Sequence, residues 1–138
     1  MGVLKVKFAP NRRAREVYRT VALSTSCTFD DLCGYILDLF DFDDTAHLYE
    51  FILGTSRHSE RLRMEDCGIT LESLGFLPKK FFLHFDFGDD WYFSITIMQG
   101  NVSLPEGIEC KLLTSKGKIS QYPDWDEDED EDDEEDEE

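Results

Sequence analysis

The spacing of apolar residues along the chain predicts two strands followed by one helix. Over residues 3–8 apolar and polar side chains alternate, which is typical of a strand with one buried face. A second strand is predicted over residues 16–23, and the short basic turn between the two strands favours antiparallel pairing. From Phe29 to Phe40 apolar residues instead recur every three or four positions, which is the period of one helical face.

The predicted helix carries signals at both of its ends. The hydroxyl of Thr28 can accept a hydrogen bond from the first turn, where Asp30 and Asp31 interact favourably with the helix dipole. Carboxylates are unfavourable at a helix C-terminus, so the Asp-rich residues 41–44 are expected to form a loop. The helix is therefore predicted to end at Phe40.

Later in the chain the pattern predicts more strands, and the clearest signal is a β-hairpin. A strand is predicted over residues 47–53, with helical turns around 60–64 and over 70–74. Over residues 81–97 two apolar runs flank a tight turn, and each run places its apolar residues on one face. Those residues are Phe81, Leu83, Phe85 and Phe87 before the turn, and Trp91, Phe93, Ile95 and Ile97 after it. The pattern over 108–113 is compatible with a final strand.

This order of elements predicts an α+β fold. We expect a mixed β-sheet packed on one main helix, arranged as a β-grasp-like roll in which a ββαβ unit precedes the β-hairpin. Aromatic residues are spread through the body of the chain, and they favour the half-buried surface of a sheet. A body of this size can bury one hydrophobic core without disulfides or metals.

Charge divides the chain into two parts. From Asp124 to the end every residue except Trp125 is Asp or Glu, which makes 14 acidic groups. Removing them from the total of 31 leaves 17 acidic against 14 basic residues in 1–123, so the net charge falls from −17 to −3. We therefore predict a folded domain over 1–123 and a disordered acidic tail over 124–138. The acidic balance argues against nucleic acid as a partner.

Cysteine spacing and the start of the chain indicate a reducing compartment. The four cysteines show neither a C-x-x-C pair nor the spacing of a zinc site. The first residues, MGVLKVKFAP, contain no apolar run long enough for a signal peptide, and no segment approaches the ~18 apolar residues of a membrane span. We therefore expect a cytoplasmic protein with no membrane contact and no cofactor, and its oligomeric state stays open.

Three blocks of sequence, in order over residues 18–97, resemble a known family. They are YRTVAL, TFDDLCGYILDLFDFDDTAHLYEFILG and FFLHFDFGDDWYFSITI. Together they resemble the plasmid pRiA4b open-reading-frame-three-like family, also described as insertion-element passenger TnpR-like proteins, with a D-F-G-D-x-W hairpin as signature. Phe87, Gly88 and Trp91 match the structural part of that signature. The resemblance implies the fold of the family and no established activity, and the Cys/Pro-rich segment of the family is missing here.

Three groups of polar residues are candidates for a binding site. Asp86, Asp89 and Asp90 could hold Mg²⁺ or Ca²⁺ through carboxylate oxygens, although Gly and Asp are also the residues that tight turns favour. His47 and His84 could serve as ligands or as a general base; the alternatives are a His–Asp hydrogen bond for His47 and plain solvation for His84. The basic turn could contact phosphates or the acidic tail, or be solvated surface. Its arginines are Arg12, Arg13 and Arg15.

No arrangement of residues meets the requirements of an enzyme, and no catalytic residue or metal ligand set is assigned. No serine or cysteine has an evident base partner, no glycine-rich loop has phosphate-binding spacing, and H-E-x-x-H is absent. The leading hypothesis is a non-enzymatic protein-interaction module whose acidic tail modulates contact with a basic partner protein. The alternatives are a divalent-metal-dependent hydrolase or nuclease accessory that uses the aspartates of the turn, and a mobile-element-associated DNA-binding protein.

The tail is predicted to be dispensable for folding, because it contains one apolar residue and its charges repel each other. A fragment of residues 1–123 should melt at the same temperature as the whole chain or slightly higher, most visibly at low salt. Calorimetric melting of both proteins at low and high salt measures this. A clearly lower midpoint in the fragment would mean that the tail packs against the domain, with the basic turn as the first contact to test.

Overall fold

One α-helix packs on one face of a single β-sheet. The computed structural model describes residues 2–11, 16–42, 48–87 and 90–119. The elements in chain order are β1 (Val3–Pro10), β2 (Tyr18–Ser24), α1 (Phe29–Leu39), β3 (Tyr49–Ile52), β4 (Arg61–Arg63), β5 (Lys80–Phe85), β6 (Trp91–Met98) and β7 (Cys110–Lys116). Two short 3₁₀ turns, Met64–Asp66 and Leu71–Leu74, follow β4. Among the described residues no helix has the length and apolar character needed to cross a membrane.

The sheet has the strand order β4-β3-β5-β6-β1-β2-β7, and within the described residues every neighbouring pair is antiparallel. The predicted mixed sheet is therefore wrong, and the β-grasp-like ordering is not confirmed. The reason is the path of the chain after α1. The helix carries the chain from β2 to β3, and β1, β6 and β5 lie between these two strands, so the crossover creates no parallel neighbours.

The apolar face of the sheet packs against α1, which confirms the α+β class. Phe29 of the helix lies edge-on to Phe51 with ring centroids 5.1 Å apart, and the ring of Phe40 lies 5.2 Å from that of Phe93. Side chains alternate across each strand, so the odd-numbered residues of the hairpin share this face. The buried core includes Phe29, Leu32, Cys33, Ile36 and Leu37 from α1, and Phe81, Leu83, Phe85, Trp91, Phe93 and Ile95 from the hairpin.

Side chains hold both ends of α1. At the start, the Thr28 hydroxyl accepts a hydrogen bond from the amide of Asp31, and the Asp31 carboxylate accepts one from the amide of Thr28, which is a capping box. The last turn contains no basic residue of its own. Arg19 of β2 instead donates its Nε hydrogen to the carbonyl of Leu39 at 3.1 Å and lies 4.7 Å from the ring centre of Phe40. The helix therefore begins and ends within one residue of the predicted bounds.

Two features of the later chain differ from the prediction. Residues 61–63 form the edge strand β4 in place of the helical turn predicted around 60–64, because they pair with β3. Phe87 does not share the buried face of Phe85, because Asp86 has a positive φ of 63° that ends the alternation of the strand. The other predicted strands are found, including the final strand β7.

Trp91 should be essential for stability. The residue is 1% exposed, and its ring lies edge-on to Phe42 at 4.9 Å. Trp91→Ala should cost ~3–5 kcal/mol of unfolding free energy, because it leaves a large cavity in the core. Urea unfolding measures this cost, and Trp91→Phe, which keeps an aromatic ring, should lose clearly less. A Trp91→Ala protein as stable as the parent would show that the hairpin faces are assigned wrongly.

Candidate functional site

His84 lies at the centre of a polar network on the face of the sheet opposite α1. The residue is buried, and both nitrogens of its ring have carboxylate partners. Nδ1 lies 3.0 Å from Oε2 of Glu50 on β3, and Nε2 lies 2.8 Å from Oδ1 of Asp90. The solvated alternative for His84 is therefore wrong. The sheet register places Glu50 directly opposite His84, which encloses the ring between neighbouring strands.

Aromatic rings cover both faces of the His84 imidazole. Tyr92, which faces His84 on β6, stacks on it with centroids 4.3 Å apart and planes 6° from parallel. Phe87 stacks at 4.5 Å and 21°. Two rings cannot share one face of an imidazole at these distances, so His84 is sandwiched between them. Because Phe87 is itself 43% exposed, it forms the cover between the imidazole and solvent.

Glu50 extends the network to the edge strand β4. Its Oε2 atom also accepts a hydrogen bond from Nη1 of Arg61 at 2.6 Å. The network therefore runs from Arg61 through two buried groups, Glu50 and His84, to Asp90, whose side chain is more than half exposed. An unpaired carboxylate is costly to bury, and in this network the carboxylate of Glu50 has two partners, Arg61 and His84.

This geometry leaves the nitrogens of His84 unsuited to catalysis or metal binding. Each ring nitrogen lies within hydrogen-bond distance of a carboxylate oxygen. A nitrogen engaged in such a hydrogen bond is not available to a substrate or to a cation. In this arrangement His84 links β3 to the segment that follows β5 through two hydrogen bonds.

Backbone hydrogen bonds shape the ends of the turn between β5 and β6. The amide of Asp86 donates to the carbonyl of Leu48 at 2.8 Å, and the amide of Asp90 donates to the carbonyl of Asp86 at 2.6 Å. Asp86 and Asp90 have φ values of 63° and 56°, in the left-handed region that Asp tolerates better than most residues. These contacts are the ones that a structural turn requires.

The structure describes only part of the predicted site. It brings His84, Asp86 and Asp90 together at one end of the hairpin. Within the described part of the chain, no group of three or more His, Cys, Asp or Glu side chains is placed to hold a metal ion. The other predicted site residues lie outside the described residues, as does the tail, and their roles stay predictions. They are His47, Gly88, Asp89, Arg12, Arg13 and Arg15.

Three members of the network were not predicted from the sequence, namely Glu50, Arg61 and Tyr92. The signal available was weak: Glu50 is the one carboxylate within the strand Tyr49–Ile52, where a charged residue needs a partner. Its partners come from β4 and β5, and no local pattern states which residues of two distant strands face each other. Only the register of the sheet identifies them.

Burial makes three of the cysteines poor nucleophiles. Burial, with smaller contributions from nearby carboxylates, raises the pKa of Cys27 and of Cys67 to about 12. Burial also raises the pKa of Cys110 to about 11. The reactive form of cysteine is the thiolate, so near neutral pH these side chains are protonated thiols that contribute packing.

Comparison with known proteins identifies a family and a similar fold. The family model for "Plasmid pRiA4b ORF-3-like protein" matches residues 2–124. The crystal structure of a protein of unknown function from Methanosarcina mazei Go1 has a similar fold, with a TM-score of 0.65 and 20% sequence identity; the match covers 82% of this chain and 68% of that one. No functionally curated protein matches the chain. The TnpR-like description and the hairpin signature stay predictions.

Removing the charge of Glu50 should destabilise the protein more than removing an exposed charge. Arg61 and His84 both contact Oε2 of Glu50, and Glu50→Gln removes the negative charge of this shared acceptor, so we expect a loss of ~1–3 kcal/mol of unfolding free energy. Asp90→Asn should cost less, because this carboxylate is solvated on one side. Urea unfolding measures both, with the exposed Glu60→Gln as the control. Equal effects at Glu50 and Glu60 would contradict the network.

Proposed function

Since the chain belongs to the plasmid pRiA4b ORF-3-like family, we propose that it is a non-enzymatic protein-interaction module in the cytoplasm. In this proposal an acidic surface beside α1, formed by Asp30, Glu65 and Asp66, acts together with the acidic segment 124–138. Both contact a partner protein that has a basic surface. The TnpR-like description then refers to genetic context and not to recombinase chemistry. The hairpin that contains Phe87 and Trp91 serves as the structural signature of the family.

The observation that carries the non-enzymatic part of the proposal is the environment of His84. Its two nitrogens are bonded to Glu50 and Asp90, and its two ring faces are stacked. A general base needs a nitrogen that can reach a substrate proton, and His84 offers none in this arrangement. The raised pKa values of Cys27, Cys67 and Cys110 make these thiols poor nucleophiles, which supports the same interpretation.

The basic partner is supported by a cluster of carboxylates around the start of α1. Asp30 in the first turn of the helix and Glu65 and Asp66 in the 3₁₀ turn are all exposed. The amide of Asp30 donates to the carbonyl of Cys67 at 2.9 Å, and Cys67 directly follows Glu65 and Asp66, so the three acidic residues lie close together. A surface of one sign steers oppositely charged partners toward it and increases the rate of encounter.

The metal-dependent alternative requires the carboxylates of Asp86, Asp89 and Asp90 to converge. Oδ1 of Asp90 already faces Nε2 of His84 at 2.8 Å, so a bound cation would have to separate this pair. Calorimetric titration of Mg²⁺, Mn²⁺ and Ca²⁺ into the chain tests this alternative. If the parent chain gives a heat of binding that disappears in Asp90→Asn, the metal-dependent function would replace the interaction module as the leading proposal.

The interaction proposal is tested with a lysine- and arginine-rich peptide as the probe. Binding is measured by fluorescence anisotropy for the whole chain and for two double variants that lose equal charge. Glu65→Gln with Asp66→Asn removes charge from the acidic surface, whereas Glu60→Gln with Glu106→Gln removes it elsewhere on the exposed surface. We expect the first pair to weaken binding several-fold more than the second. Equal losses would mean that only net charge attracts the peptide, which would contradict a specific surface.

A further inference from the structure

The strands sort their basic residues onto the face of the sheet that points away from α1. This surface, here called the basic face, follows from the strand registers, since residues directly opposite each other in neighbouring strands share a face. Its cations are distributed over four of the strands, and all of them are at least partly exposed. They are Lys5 and Lys7 on β1, Lys80 on β5, Arg61 and Arg63 on β4, and Lys111 and Lys116 on β7.

Almost no negative charge opposes these cations. Among the described strand residues, Glu50 is the one carboxylate on the basic face, and it is paired with Arg61 and His84. Asp90, which follows the turn, reaches the same face and is paired with His84. The described carboxylates near α1 lie on the other side of the sheet. Although the net charge of the domain is small, its two surfaces therefore carry charges of opposite sign.

Aromatic rings lie among the cations of the basic face. Tyr18, Phe82 and Tyr92 are all partly exposed on this side. The Nζ atom of Lys7 lies 4.8 Å from the ring centre of Tyr18, and that of Lys80 lies 5.8 Å from the ring centre of Phe82. In both pairs the ammonium group lies over the ring. A nucleotide presents the complementary pair, a flat base that stacks and a phosphate that attracts a cation.

We propose that the basic face binds single-stranded nucleic acid, with phosphates on its lysines and arginines and bases on its aromatic rings. The charges alone would suit any polyanion. The rings favour a single strand over a duplex, because bases can stack on protein side chains only where they are not already stacked and paired. They also favour nucleic acid over a run of aspartate and glutamate, because the side chains of these residues have no rings to stack. This surface lies opposite the acidic surface of the proposed function and does not depend on it.

Two adjacent lysines provide a matched test of the charge contribution. Lys80 is on the basic face. Lys79 lies one position before β5 and accepts a hydrogen bond at its carbonyl from the amide of Ile97, a residue on the opposite face of β6; both lysines are exposed. The probe is a fluorescein-labelled oligonucleotide of about 20 thymidines, bound to the whole chain over a range of salt concentrations. Lys80→Gln should weaken binding about fivefold at about 0.1 M salt and reduce the log–log salt slope by about 0.7, the change expected for one lost phosphate contact. Lys79→Gln should change neither quantity.

A second variant separates stacking from charge. Phe82→Leu keeps an apolar side chain but removes the ring, so it should weaken oligonucleotide binding by at least about fivefold and leave the salt slope unchanged. Thermal melting checks that each variant remains folded. A glutamate peptide of equal length is the competing probe. If it binds as tightly as the oligonucleotide and Phe82→Leu has no effect, an acidic protein is the partner and the proposal is wrong.

Two further results would overturn the proposal. The first is that the whole chain does not bind the oligonucleotide even at low salt, where phosphate contacts are strongest. The second is that Lys79→Gln and Lys80→Gln weaken binding equally, because the attraction would then come from overall charge and not from the basic face. Neither result bears on the basic-peptide assay, so the failure of this inference and the failure of the proposed function can be told apart.

Discussion

Successive side chains of a strand point to opposite sides of the sheet, and this constraint organises the whole protein. With one helix in the described part of the chain, the sheet can cover one face with apolar contacts, and Phe29 and Phe40 of the helical segment make those contacts. The residues between the buried ones are then forced onto the other face. In this chain those residues are largely lysine, arginine, threonine and aromatic side chains. A two-sided molecule results, with acidic groups near the helix and basic groups on the opposite surface.

The polar network around His84, on this second face, favours one register of the neighbouring strands. A glutamate in the middle of a sheet would normally destabilise the fold, because desolvating a charge costs more than a single contact returns. Glu50 avoids this cost through Arg61 on one side and His84 on the other. Since these partners come from different strands, the network is complete only in one register of β3, β4 and β5. It therefore favours the native register over shifted ones, in which the same carboxylate would be buried alone.

Much of the fold could be predicted because its signals are local. The helix follows from the three- and four-residue spacing between Phe29 and Phe40 and from the cap at Thr28, which act within a single turn. The hairpin follows from alternation on both sides of a tight turn. The alternation of buried and exposed side chains predicted a buried Phe87. That prediction failed because the positive φ of Asp86 reverses the direction of the next side chain. Phe87 then covers His84 and does not enter the core.

What the sequence alone determined about this protein is the kind of each main element, the buried face of the helix and hairpin, and the separation of a nearly neutral domain from an acidic segment. These properties depend on neighbours a few positions apart. The tertiary structure decided the order of the strands, the antiparallel pairing throughout the described sheet, and the partners of Glu50 and His84. It also decided that the basic residues of four strands share one surface. Those outcomes depend on which distant strands become neighbours and in which register, and that is settled by burying the whole sheet face at once.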